Sequence, residues 1–293
     1  MILICAGPIK LPTLWLAAAL NPEPLHFTGR DLMQTRSVSS IWQNQPSDLI
    51  ARTESCIQSA CEQAANPGEA FIFFRADDVA APGSRFTRLL EVFSFHRAPL
   101  CLAVVPAWLT QPRWQALNRA GQRAPSCWCW HQHGWRHTNH ETQGKKQEFG
   151  PSRSRTDLEH DIRCGRQRLE NVLGKHFYPV FTPPWNRCDH KTLAVLKNLG
   201  YAAVSRSRSN SPPSPKGLPS LDVNVDLHTR KEKSPAAGWQ NLFDELRRGI
   251  ASGQCGIMIH HQRMNGAAFD FLEILLMALT RHKKIRLVNF KDL

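Results

Sequence analysis

At 293 residues, with 42% hydrophobic and 21% charged residues, the chain suits one large or two small domains and is too apolar to be disordered as a whole. Its 37 basic against 24 acidic residues leave a net charge of +13, which favours anionic partners in general, but the basic residues are scattered and form no stripe that would indicate a nucleic-acid surface. No run approaches the ~18 apolar residues of a membrane-spanning helix.

Nine cysteines, several in apolar strand-like contexts, show neither a disulfide framework nor a zinc-clip spacing. Reduced thiols and a cytoplasmic location are therefore expected. Residues 1–40 read as an N-terminal extension to a single domain over 41–293. The extension carries a short apolar run, "LPTLWLAAAL", with a thin positive region before it, faintly like an export signal, and Met33 offers an alternative start.

From Ala70 onward short apolar runs alternate with amphipathic stretches. "AFIFFRA" is the first strand candidate, followed by a helix over Ser84–His96 with Phe86, Leu89, Leu90 and Phe93 on one face. "LCLAVVP" leads to a helix over Leu109–Ala120, and "CWCWHQH" is followed by the polar loop "HETQGKKQEFGPSRS" and a helix over Ser154–Leu173. "FYPVFTPP" precedes a helix over His190–Leu199. "AAVSRS" runs into Ser205–Ser220, a Ser/Pro/Arg-rich stretch that reads as an exposed loop. "LDVNVDLH" and "GIMIHH" follow, with helices over Trp239–Ile250 and Ala267–His282. Gly174, Gly200 and Gly253 stand where helix C-terminal caps favour glycine. Strand–helix alternation predicts parallel βαβ units, and seven of them suit an α/β barrel better than an open doubly wound sheet.

Polar residues gather at the C-terminal ends of these strands: Asp77 and Asp78, His131 and His133, Asn186 and Arg187, Asp226 and His228, His260 and His261. In an α/β barrel those ends form the active-site rim. In "HGWRH" the spacing of His133 and His137 puts two imidazoles on one side of a turn. Two histidines and a carboxylate from another strand end would leave an open coordination position, the pattern of a catalytic metal site. In "LDVNVDLHT", period-two alternation sends Leu221, Val223, Val225 and Leu227 to one face and Asp222, Asn224, Asp226 and His228 to the other, which would look into the barrel. His260 at the end of "GIMIHH" is a candidate general acid.

The order of these motifs resembles the polysaccharide deacetylases, the chitin-deacetylase-like carbohydrate esterases with NodB homology, over roughly Ala70 to Leu279. "FRADDVA" stands for the family's aspartate pair, "HGWRH" for its His-Ser/Thr-x-x-His, "FTPPWN" for its Arg-x-Pro element, "VNVDLHT" for its fourth motif and "MIH" for its Leu-x-His. The resemblance implies a distorted barrel of seven or eight mostly parallel strands. It also implies a divalent metal, zinc by preference, held by Asp78, His133 and His137, with Asp77 as general base. His260 would protonate the leaving group, and Asp226 is expected to pair with it. The backbone N–H of Trp185 would serve the oxyanion, while Trp135, Pro184, Asn186 and Arg187 would border an acetylated carbohydrate substrate. Several departures stand out: the tryptophan of the fourth motif is not evident, and Met258 stands for the leucine of the fifth. Gly134 occupies the Ser/Thr position, and Thr182 stands where the family has the arginine that orients the aspartate; Arg187 or Arg75 are the candidates to replace it. Two alternatives stay open beside a metal-dependent deacetylase: a hydrolase of a non-sugar C–N bond on the same fold, or a catalytically silent glycan-binding relative.

Overall fold

A computed structural model of the chain describes residues 38–64, 68–208 and 211–293. The expected N-terminal extension, with its apolar run and Met33, lies outside the described residues except for residues 38–40.

Strands β1 (Ala70–Val79), β2 (Leu100–Val104), β3 (Trp128–His133), β4 (Phe177–Thr182), β5 (Ala203–Val204), β6 (Val223–Asp226), β7 (Gln254–Ile259) and β8 (Ile285–Val288) form one sheet. Its order is β5-β4-β3-β2-β1-β7-β6, with β8 added beside the start of β1, and all the pairings are parallel. The sheet curls into the distorted barrel expected. The edges meet through parallel bridges Val204–Ser220 and Ser207–Val223. Among the described residues, seven helices cover the outside: α1 (Leu49–Glu62), α2 (Ser84–Phe95), α3 (Gln111–Ala120), α4 (Arg155–Leu173), α5 (His190–Asn198), α6 (Pro235–Ala251) and α7 (Gly266–Arg281).

Strand alternation divides the apolar residues into layers. Ile72, Phe74 and Ala76 of β1 face the helices and join the main core with Leu89, Phe93, Leu246 and Leu272. Phe73 points the other way, into a small barrel interior with Cys101, Cys129, Met258 and Phe290. Burial of both faces explains why β1, β2 and β7 read as nearly continuous apolar runs. Side chains of Thr110, Ser154, Asp189, Ser234 and Asn265 cap the N-termini of α3 to α7. Gly174, Gly200 and Gly253 close α4, α5 and α6 at positive φ, as their positions predict.

Two local expectations need correction. Ser205 and Arg206 open the supposed exposed loop but are buried, because the chain there closes the barrel against residues 219–223. The polar face of "LDVNVDLHT" does not point uniformly inward. A register irregularity between Val223 and Val225 resets the alternation, so Val223 lies in the barrel interior while Val225 and Leu227 pack under the helices.

Candidate active site

The site forms where β1, β3, β4 and β7 end. β1 delivers both aspartates to it by breaking its own pattern. The β1–β2 register shifts between Ala76 and Val79, and Asp78 takes φ 60°, in the left-handed region. In a regular strand, neighbours point to opposite faces. The irregularity brings Asp78 round towards the site that Asp77 already faces.

Asp78 Oδ1 lies 3.3 Å from His133 Nε2 and 3.1 Å from His137 Nε2. One ligand atom from each of the three residues falls within 4.8 Å of the others, the only such His/Cys/Asp/Glu group among the described residues. His133 Nδ1 lies 3.0 Å from the Thr182 carbonyl. As a donor there it leaves Nε2 with its lone pair towards Asp78, the tautomer a metal ligand needs. His137 also has φ 60°, and its ring lies between Trp108 (5.6 Å between centroids) and Trp185 (4.5 Å). Burial pushes the Asp78 carboxyl up, but the two imidazoles outweigh it and hold it well below the usual carboxylate range. Burial pushes His133 down; its hydrogen bond to Asp78 and the charge of Asp77 bring it above its ordinary value.

Asp77 has a different partner. Arg75 Nε reaches Asp77 Oδ1 and Nη2 reaches Oδ2, each at 2.8 Å, a two-pronged charge-assisted pair. Nη1 donates to Ser205 Oγ at 2.8 Å and Nη2 to Asn186 Oδ1 at 2.5 Å; Met258 Sδ is 3.2 Å from Nη2. Arg75 is fully buried. Burial raises the Asp77 carboxyl, but Arg75 foremost, with His133 and His260 nearby, holds it below the ordinary range, so Asp77 is ionised at neutral pH. Of the two candidates to replace the arginine missing at Thr182, the structure selects Arg75; Arg187 turns away to the Lys146 carbonyl. Thr182 instead bonds His131 Nε2 through its hydroxyl, at 2.9 Å.

The other sequence-selected residues divide. Trp185 adopts φ 56° and its N–H is not spent on the turn, which Asn186 and Arg187 close onto Pro183 and Pro184. Pro184 is buried against Gly134. Asn186 is buried and accepts a hydrogen bond from Arg75 through Oδ1. Trp135 packs beside the Phe149–Leu158 cluster. Asp226 does not reach His260. Its carboxylate accepts from the N–H groups of His228 and Thr229 and from the Thr229 hydroxyl, capping the turn after β6. His228 is the residue set against His260, its Nδ1 accepting the His260 N–H at 3.2 Å.

The motif reading also missed Glu148, a buried carboxylate beside His137. Asp77, Asp78 and Glu148 are three buried carboxylates with the buried Arg75 guanidinium among them; burial pushes the Glu148 carboxyl up, while the backbone N–H groups of Arg136 and Trp135 draw it down. Buried charge demands compensation. The Asp78, His133 and His137 donor set is of the His₂-carboxylate kind that suits zinc and similar metals, and a divalent cation there would offset the carboxylate charge.

Residues 64–204 match the family model described as polysaccharide deacetylase. That stretch contains Arg75, both aspartates, both histidines and Trp185, and ends before β6. The chain is similar to a Mycobacterium smegmatis protein assigned as a polysaccharide deacetylase, with 14% identity over 78% of this chain and 90% of that one and a TM-score of 0.59. Further similarities are to a family 4 carbohydrate esterase from Streptomyces lividans in complex with acetate (14% identity, 74% and 91% coverage, TM-score 0.46) and a CE4 family pseudoenzyme from Bacillus anthracis (10%, 72% and 61%, 0.46). No curated protein sequence matches the chain.

Proposed function

We propose that the chain, residues 64–204 of which match the polysaccharide deacetylase family model, is a divalent-metal-dependent hydrolase removing acetyl groups, as amide or ester, from an acetylated carbohydrate. The observation that carries this reading is the pairing of two devices at one rim: the Asp78–His133–His137 ligand set and the Asp77 carboxylate held by Arg75.

When bound, such a cation lowers the pKa of a coordinated water from 15.7 towards about 7 and polarises a carbonyl oxygen. Asp78, His133 and His137 are the residues to hold it. Asp77, ionised and fixed by Arg75, accepts the proton of the attacking water. The Trp185 N–H, free of the turn, donates to the oxygen on which charge develops. His260 hands a proton to the departing amine or alcohol; the His228 contact fixes its backbone. Trp108 and Trp185, both partly exposed beside His137, offer aromatic faces that a sugar could meet.

Acetate release from N- and O-acetylated oligosaccharides, measured after loading with Zn²⁺ and again after chelation, tests the proposal. Activity lost on chelation, restored by metal and absent in Asp78→Ala supports it. A metal-loaded protein releasing acetate from no acetylated sugar, but hydrolysing a small amide, overturns the substrate class.

A further inference from the structure

Glu148 belongs to none of the strand-end motifs and lies in a polar loop, yet it is fully buried. Its Oε1 accepts from the backbone N–H of Arg136 at 2.6 Å and of His137 at 3.1 Å, and Oε2 from that of Trp135 at 3.2 Å. Three consecutive N–H groups thus converge on one carboxylate, as successive backbone amides do in anion-binding nests. Gly134 completes the fit. It has φ 58°, and a Cβ there would lie 2.2 Å from Glu148 Oε2 and 2.6 Å from Pro184 Cδ. Only glycine lets the carboxylate close on the loop. That contact accounts for the absence of a Ser or Thr side chain between the two histidines.

The same loop holds His137 in a left-handed conformation that a histidine does not keep unaided. We propose that Glu148 is a positioning residue for the cation, clamping the 134–137 backbone so that His137 Nε2 is presented to the same point as Asp78 and His133 Nε2. This rests on the reading of those three residues as a divalent-cation site. Hydrogen-bonded partners outside the ligand set typically govern 10–100-fold of metal affinity. Gln at 148 keeps the size, but offers one acceptor where the carboxylate offers two and turns an NH₂ towards a backbone N–H.

Zn²⁺ affinity of the full chain, measured by competition with a chromophoric chelator, tests the clamp in wild type, Glu148→Gln, His137→Ala and the double variant. Urea unfolding of the metal-free proteins separates loss of fold from loss of positioning. The expected result is 1:1 binding in wild type and a 10–100-fold weaker affinity in folded Glu148→Gln. In the His137→Ala background, the Glu148→Gln change should have little further effect, because its route to the metal is already gone. Gly134→Ala, which forces a methyl into Glu148 and Pro184, should weaken Zn²⁺ in the same direction. Wild-type affinity in Glu148→Gln, or an undiminished effect of that change without His137, overturns the clamp while leaving the metal site standing. A wild-type chain that binds no Zn²⁺ overturns both readings.

Discussion

Arg75 and Asp77 are two residues apart on one strand, so their side chains leave the same face and the guanidinium can fold onto the carboxylate without any long-range loop to place it. Ser205 and Asn186 bind the remaining guanidinium face. Arg75→Met therefore strands a buried carboxylate, and we expect a loss of about 3–5 kcal/mol in urea unfolding. Arg75→Lys keeps the charge but replaces the fork by a point. It should leave most of the stability and lower kcat about 100-fold with little change in KM, the magnitude of a small misplacement of a reacting group. Equal kcat in Arg75→Lys and wild type would show that Asp77 needs no fork. The aspartate pair and the two histidines were legible because short-range spacing defines them. Arg75 was legible only as one of two options, since nothing in "FRADD" says whether the arginine turns to its neighbour or to the barrel. Glu148 was not legible, because a glutamate in a polar loop looks the same whether it is solvated or buried under three N–H groups.

At the scale of elements, large apolar residues set a period that is legible in the sequence, and small ones do not. Helix α1 buries Thr53, Cys56, Ala60 and Cys61 beside Leu49 and Ile57, a face too weakly apolar to register as a helix. β8 is four residues long and follows two lysines, so only its pairing with β1 makes it a strand. Asp226 departs from the expected pairing because its carboxylate is taken up by the His228 and Thr229 N–H groups, at the end of a strand whose register is irregular. A similar close fit joins α4 to β3 and sets up a test. A Cβ on Gly165 would lie 2.3 Å from Gln132 Nε2. Glycine to alanine inside a helix gains roughly 1 kcal/mol in propensity, while overpacking costs about 1–3 kcal/mol. Gln132 cannot yield, because Nε2 donates to the Gly134 and Ile162 carbonyls and Oε1 accepts from the Tyr201 hydroxyl at 2.5 Å. The packing cost should win, and Gly165→Ala should lower the urea midpoint. A raised midpoint would mean that α4 shifts freely on β3.

Across the whole molecule, buried histidines tie stability to pH. Burial, helped by Arg75, pushes His131 down to about 3, and burial with His260, His261 and Arg263 pushes His228 well below its ordinary value. Both are fully buried and neutral in the native state. In the unfolded chain they protonate below about pH 6.5. The unfolded state therefore binds more protons as pH falls, and stability drops with it; the contribution is fully present above about pH 6.5 and is lost on acidification, at about 1.4 kcal/mol per pH unit for each histidine. His133, raised in the native state, acts in the opposite sense, being stabilising below the unfolded value and losing that effect as pH rises. A comparison of variants cancels that term, along with the growing repulsion of an already cationic chain. His228→Gln removes one titrating group and keeps an acceptor for the His260 N–H. Urea unfolding from pH 7 to 5 should then show wild type losing stability more steeply than His228→Gln, the slopes differing by about 1 kcal/mol per pH unit towards pH 5. Parallel slopes would mean that His228 takes up its proton in the folded chain, with its ring reaching water or a carboxylate.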